Sequence, residues 1–269
     1  MLWLCLLAVS VLAGCGPKPT ASLVTTTPPA SAGAALPFTN YTVEILNRFP
    51  HDPRAFTQGL IFDTADTLLE STGQHGQSSL RRTDLKTGRI LQKIDLPQRH
   101  FGEGLTRLHN KLYQLTWKDH LGFIYDATTL EKIGEFPYTG EGWGLTTDGT
   151  SLILSDGTNQ LRYLDPTTFA VTRTLRATHQ GKPVDHLNEL EYIDGQIYAN
   201  LWGADLIARL DPTTGTATGV IDCTALFPPA SRTTPDQVLN GIAYHPATQR
   251  LLITGKWWPE IFEVRLQPR

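Results

Sequence analysis

The stretch His100-Phe-Gly-Glu-Gly-Leu-Thr106 decides the fold, because variants of its Gly-Leu core return as Gln58-Gly-Leu, Trp143-Gly-Leu-Thr, Asn188-Glu-Leu-Glu and Asn240-Gly-Ile-Ala. With Gln58, Glu103, Trp143, Asn188 and Asn240 taken as hub positions, the intervals are 45, 40, 45 and 52 residues. A self-similar period of about 40–50 residues marks a repeat architecture in which each unit is one supersecondary element.

Working outward from each hub, a first strand and a polar turn lead to a second apolar strand. These second strands are Leu68-Leu-Glu-Ser-Thr-Gly73, Leu112-Tyr-Gln-Leu-Thr-Trp117, Leu152-Ile-Leu-Ser-Asp-Gly157, Ile197-Tyr-Ala-Asn-Leu-Trp202 and Leu251-Leu-Ile-Thr-Gly-Lys256. Each ends 14 to 16 positions after its hub. A third strand then runs into a turn at Asp84-Leu-Lys-Thr-Gly88, Asp126-Ala-Thr-Thr129, Asp165-Pro-Thr-Thr168 or Asp211-Pro-Thr-Thr-Gly215, where Asp caps the turn and Pro or Gly supplies its backbone angles. A fourth strand follows. Four strands per unit predict an all-β fold, a five-bladed β-propeller. The fifth unit stops after its third strand, near Leu266, and the alternating stretch Tyr41–Phe49 is expected to close the ring by completing that last blade.

Composition agrees. The 269 residues include 23 Gly and 18 Pro, the punctuation of many short strands, and 40% hydrophobic content supports a substantial core. Twenty-three Lys and Arg against 26 Asp and Glu leave no basic excess, which excludes a nucleic-acid surface. Of the three cysteines only Cys223 belongs to the folded body, so no internal disulfide is available, and its Ile-Asp-Cys-Thr-Ala-Leu setting reads as an ordinary half-buried segment. The eight histidines lack close pairs, and HExxH, Walker, GxSxG and paired-Cys signatures are absent, so neither a metal nor a cofactor is expected. Asp63, Asp66, Asp148 and Asp156 read as turn residues.

Residues 1–14, MLWLCLLAVSVLAG, form an apolar run ending in small residues, as in a secretory signal peptide. Leu12-Ala13-Gly14-Cys15 resembles a bacterial lipobox, which implies lipidation of Cys15 and an exported lipoprotein on the periplasmic or cell-surface side of a membrane. No Lys or Arg precedes the run, a departure from the usual leader. Residues 15–38, rich in Pro, Ala, Thr and Ser, read as lipidated Cys plus flexible tether, and residues 39–269 as the propeller domain.

In such a blade the innermost strand starts at one rim and the second returns to it, so hubs and second-strand ends are expected at one mouth of the channel. That collects Gln58, Glu103, Trp143, Asn188 and Asn240 with Trp117, Trp202 and Lys256, plus Phe56 and Phe101 two positions before their hubs. Plainer roles exist for most of them: the tryptophans as fillers between blades, Lys256 as a solvated charge, the asparagines as turn amides. Glu103 resists one, because a carboxylate between Phe and Gly near a narrow axis is desolvated, which raises its pKa and suits a proton shuttle.

These strings, with His51-Asp-Pro-Arg-Ala-Phe-Thr-Gln-Gly-Leu60, Glu70-Ser-Thr-Gly73, Leu187-Asn-Glu-Leu-Glu191, Ala199-Asn-Leu-Trp202 and Ile253-Thr-Gly-Lys256, resemble the plant and bacterial type of glutaminyl cyclase across residues 41 to 266. The resemblance implies a five-bladed propeller that converts N-terminal glutamine of peptides or proteins to pyroglutamate, releasing ammonia without a catalytic metal. It places catalysis on Glu103 and substrate binding on Phe56, Gln58, Phe101, Trp117, Trp143, Asn188, Trp202 and Lys256. Lys256, Gln58 and Asn188 all stand as oxyanion donors. The expected partners are Gln-initiated peptides, with membrane contact only through the lipid anchor, and the expected state is a monomer. Two other readings are a lipid-tethered binding propeller without catalysis, and hydrolysis of the same side chain. Loss of turnover with retained binding in Glu103→Gln separates the first, and product mass separates the second.

Overall fold

A computed structural model describes residues 37–269. The expected leader 1–14, Cys15 and all of the 15–38 tether except Pro37 and Phe38 lie outside the described residues. Strands dominate, in sets of four that follow the sequence repeat. Set one is Thr57–Thr64, Thr67–Thr72, Ser79–Asp84 and Ile90–Asp95; set two is Gly102–Leu108, Lys111–Thr116, Leu121–Asp126 and Lys132–Pro137. Set three is Leu145–Thr147, Leu152–Ser155, Gln160–Leu164 and Val171–Arg176; set four is Leu187–Ile193, Gln196–Leu201, Leu206–Leu210 and Ala217–Asp222. Set five has Leu239–His245, Arg250–Gly255 and Glu260–Pro268. Consecutive strands within each set pair antiparallel.

The N-terminal strand Thr39–Pro50 lies antiparallel to Glu260–Pro268, from Tyr41 opposite Pro268 to Pro50 opposite Glu260. The same strand also pairs in parallel with set four, Thr39 beside Gly219 through Thr42 beside Asp222, which fuses sets four and five into one eight-stranded sheet. Nothing in the alternation of residues 41 to 49 announced that parallel pairing, since it involves the strand's first four residues and a distant partner.

The core lies between the sets. Ile61, Leu69 and Leu80 of set one pack with Leu105, Leu112 and Phe123 of set two. The same happens between sets two and three, three and four, and four and five. Leu252 and Ile261 of set five then return to Leu60 and Leu68 of set one. Each sheet therefore buries both faces against neighbours, and the fourth strands Lys132–Pro137 and Val171–Arg176 stay largely exposed, whereas Ala217–Asp222, paired with the N-terminal strand, is mostly buried. The arrangement is all-β and propeller-like.

The first strands crowd one another, and the glycine after the hub is the reason they can. A Cβ on Gly59 would meet the Leu105 backbone nitrogen, one on Gly104 the Leu145 nitrogen, and one on Gly144 the Asn188 carbonyl. In set four this position is Glu189, and its side chain crosses to the neighbouring strands instead, accepting from Leu60 N at 3.3 Å and Ile242 N at 2.9 Å. The turns behave as their composition requires: Asp84, Asp126, Asp165 and Asp211 each accept backbone N–H groups two or three residues on, as Asp211 does from Thr213 at 2.7 Å and Thr214 at 2.8 Å.

One turn assignment is corrected. Asp63 lies within a strand, and its two oxygens bind Arg82 at 2.7 Å and Arg107 at 3.2 Å, tying set one to set two. Sequence spacing hid this because both arginines come from later strands. The segment around Cys223 is half-buried as read, with Cys223 on its buried side in the core cluster that includes Trp258, and burial pushes its thiol far above its ordinary pKa, which leaves it unreactive.

Candidate active site

Four of the five hubs sit in β-bulges. The register of the first two strands shifts between Thr57 and Gly59, Gly102 and Leu105, Leu187 and Leu190, and Leu239 and Ile242, so Gln58 is an extra residue and Glu103, Asn188 and Asn240 each belong to a pair that opposes a single residue. A bulge bends its strand and re-aims a side chain, and here it does so at the end of the innermost strand. A second repeated feature brings the returning strand to the same place. In four of the five sets the residue after the second strand donates its backbone N–H to the residue two before the hub: Gly73 to Phe56 (2.8 Å), Trp117 to Phe101 (3.0 Å), Trp202 to His186 (2.8 Å) and Lys256 to Val238 (2.9 Å).

The result is a pocket of about 430 Å³ where the starts of the first strands meet the ends of the second strands. Nine of the ten residues expected there line it: Phe56, Gln58, Phe101, Glu103, Trp117, Trp143, Asn188, Trp202 and Lys256. Its walls are mainly aromatic. Trp257 meets Phe56 with centroids 4.8 Å apart, Phe56 meets Phe101 at 5.8 Å, Phe101 meets Trp117 at 5.7 Å, and Trp143 meets Trp202 at 6.0 Å. The three tryptophans are thus pocket walls, and Trp202, 46% exposed, stands at the opening.

Glu103 is 4% exposed. Its Oε1 accepts from Gln58 Nε2 at 2.8 Å, and no other protein hydrogen bond reaches the carboxyl among the described residues. Burial raises its pKa well above the carboxylate range, an effect that Lys256 opposes and Glu141 reinforces. Lys256, also 4% exposed, lies 4.6 Å from the centroid of the Phe56 ring. Burial brings its pKa down to about 8, although Glu103 and Asp236 pull the other way. Asn188 is buried, and its Oδ1, itself shielded from solvent, has no hydrogen-bond partner among the described residues.

A family model described as glutamine cyclotransferase matches residues 19–266. The chain belongs to that family. It is 44% identical over 230 residues to a glutaminyl-peptide cyclotransferase of Arabidopsis thaliana, an alignment covering 84% of this chain and 71% of that protein. Its fold is similar to the crystal structure of Myxococcus xanthus glutaminyl cyclase, with a TM-score of 0.82 and 38% identity, covering 86% of this chain and 99% of that one.

In this member of the glutamine cyclotransferase family, three pocket residues escape the repeat reading: Gln74, Asp236 and Val238. Gln74 directly follows the end of the first returning strand, and the other two close the longest interval between hubs, where extra chain length was the available signal. Asn240 is the hub that does not reach the wall. It lies behind Gln58, donating from Nδ2 to Gln58 Oε1 at 3.2 Å and to the Thr57 carbonyl at 2.9 Å. Glu141 was also missed, although its Oε2 accepts from the indole N–H of both Trp117 and Trp143.

Proposed function

We propose that this chain cyclises the N-terminal glutamine of peptides or proteins to pyroglutamate with release of ammonia, and that Glu103 carries the proton between the two nitrogens. The observation that carries this reading is the Glu103 carboxyl, buried at the base of an aromatic pocket, with Oε1 occupied by Gln58 and Oε2 left to the cavity.

The neutral α-amine of the substrate attacks its own γ-amide carbon, forming the ring C–N bond. Glu103 Oε2 accepts a proton from that amine as the bond forms, then delivers it to the amide nitrogen, so the old C–N bond breaks and ammonia departs. A carboxyl whose pKa burial raises well above the ordinary carboxylate value is suited to both halves of this exchange. The tetrahedral oxyanion needs a donor in a dry site, and the buried ammonium of Lys256 favours Lys256 over Gln58, whose Nε2 faces Glu103. The aromatic walls hold the flexible glutamine side chain folded on its amine, so part of the rate comes from a near-attack geometry. These groups supply the whole sequence of proton transfers, which supports a metal-independent route.

We further propose that the five strand sets are five blades and that Thr39–Pro50 closes the ring. Its pairing with both Glu260–Pro268 and Ala217–Asp222, and the return of set five onto set one, support this. The leader reading carries a proposal too: export and attachment to a membrane through a lipid on Cys15, tested by labelling with a radioactive fatty acid in the wild type and in Cys15→Ser.

The central test is ammonia release and product mass from a Gln-initiated peptide in the presence of a chelator. The expected result is loss of ammonia from the peptide, abolished in Glu103→Gln while peptide binding persists. A wild-type protein that leaves the glutamine intact, or that hydrolyses it to glutamate, overturns the reading.

A further inference from the structure

The aromatic lining falls into two arcs. One runs from Phe56, which Trp257 backs, through Phe101 to Trp117, and the other joins Trp143 to Trp202. Trp117 ends the second strand of set two, and Trp143 precedes the first strand of set three, so the arcs belong to different sheets. No ring contact joins Trp117 to Trp143 among the described residues. What joins them is one oxygen: Glu141 Oε2 accepts from Trp117 Nε1 at 2.8 Å and from Trp143 Nε1 at 2.9 Å.

Glu141 is itself held in place. Its backbone carbonyl accepts from Arg162 Nη2 at 3.1 Å, and the next residue, Gly142, donates its N–H to the Trp117 carbonyl at 2.9 Å. Its second oxygen, Oε1, faces Lys118 Nζ at 3.4 Å, and that ammonium lies 3.9 Å from the Trp117 ring centroid. Gly157 backs the Trp143 ring so closely that a Cβ there would lie 2.7 Å from a ring carbon. Burial alone pushes the Glu141 pKa up, but the indole N–H groups and Lys118 outweigh it and hold the group ionised.

We infer that Glu141 is a positioning residue for the cyclisation proposed above: it clamps the two indoles and so fixes the spacing of the walls between which the glutamine side chain folds. It does not line the pocket; its positioning effect passes through Trp117 and Trp143, alongside the charge by which it adds to the raised pKa of Glu103. The inference rests on that cyclase reading for its catalytic consequence, while the clamp itself rests only on geometry.

The test uses Glu141→Ala, which removes the acceptor, and Glu141→Gln, whose side-chain carbonyl keeps it. With a Gln-initiated peptide, Glu141→Ala is expected to lose about tenfold or more in kcat/KM, most of it in kcat, and Glu141→Gln to stay within about threefold of wild type. In nitrogen-15 indole spectra, two tryptophan N–H resonances should move in Glu141→Ala and return close to their places in Glu141→Gln. Wild-type kcat in Glu141→Ala, a Glu141→Gln variant as impaired as Glu141→Ala, or indole resonances that do not move would each overturn the clamp. A wild-type protein without cyclase activity sinks the proposed function instead, and the indole spectra then still judge the clamp.

Discussion

Gln58 Nε2 donates to Glu103 Oε1 at 2.8 Å, and the opposite end of the same amide, Gln58 Oε1, accepts from Asn240 Nδ2 at 3.2 Å. Because Asn240 occupies the carbonyl end, the Gln58 amide cannot flip, and it always presents a donor to Glu103. A carboxyl accepts at Oε1 whether or not it is protonated. The mobile proton is thereby assigned to Oε2, the oxygen that the pocket can reach.

Gln58→Met keeps length and volume but removes that donor. The expected outcome is a fall in kcat of roughly ten- to a hundredfold with KM little changed, since the loss falls on the orientation of the reacting carboxyl. Steady-state kinetics on a Gln-initiated peptide check it, and an unchanged kcat would show that Glu103 needs no fixed orientation.

The pH dependence follows from Glu103 and Lys256. The acid side of kcat/KM is set by ionisation of Glu103, raised above the carboxylate range by burial, together with the substrate amine at about 7.7–8.0. On the alkaline side, Lys256 loses its proton as pH rises through about 8, and the oxyanion donor is lost with it. The profile should therefore be a bell with its descending limb beginning near pH 8. Lys256→Arg keeps its charge to beyond about pH 12, so its descending limb should disappear even where its peak rate is lower.

Glu191 gives a stability prediction of opposite sign to an ordinary carboxylate. Burial raises its pKa from 4.5 to about 8, against the backbone N–H of Tyr244 that it accepts at 3.1 Å. Below pH 4.5 the group is neutral in both folded and unfolded chains and has no pH-dependent effect. Between there and about pH 8 the unfolded chain releases its proton first, so the folded state loses stability as pH rises, and the loss is complete above pH 8. Glu191→Gln should thus resist denaturant better than wild type at pH 9, with the advantage vanishing at pH 4. Equal unfolding midpoints at pH 9 would count against a neutral Glu191 in the fold.

Gly104→Ala puts a methyl group against the Leu145 nitrogen and the Gly144 and Trp143 backbone, none of which is a side chain able to swing away. The expected cost is about 1–3 kcal/mol of stability, with activity lost beyond what unfolding explains because Glu103 is the adjacent residue. Urea unfolding followed by kinetics at a temperature where the variant is fully folded separates the two effects.

Much of this molecule was legible before any coordinates. The spacing of Gln58, Glu103, Trp143, Asn188 and Asn240 gave the repeat, and the strings from His51 to Lys256 gave the family. The alignment of Trp117, Trp202 and Lys256 behind their hubs placed those residues at the pocket they line. These features are local or periodic, and a chain that must bury the same apolar strands five times writes that period into its residues.

Other relationships were decided only in three dimensions: the bulges that aim Gln58, Glu103 and Asn188, the parallel pairing of Thr39–Thr42 with Gly219–Asp222, and the arginines that draw Asp63 out of the turn class. So were the retreat of Asn240 behind Gln58 and the hold of Glu141 on two indoles. Each depends on how far a side chain reaches across the gap between neighbouring sheets, and that distance is set by packing against residues tens or hundreds of positions away. A repeat fixes which residues arrive near the pocket; only the packed sheets fix which of their atoms meet.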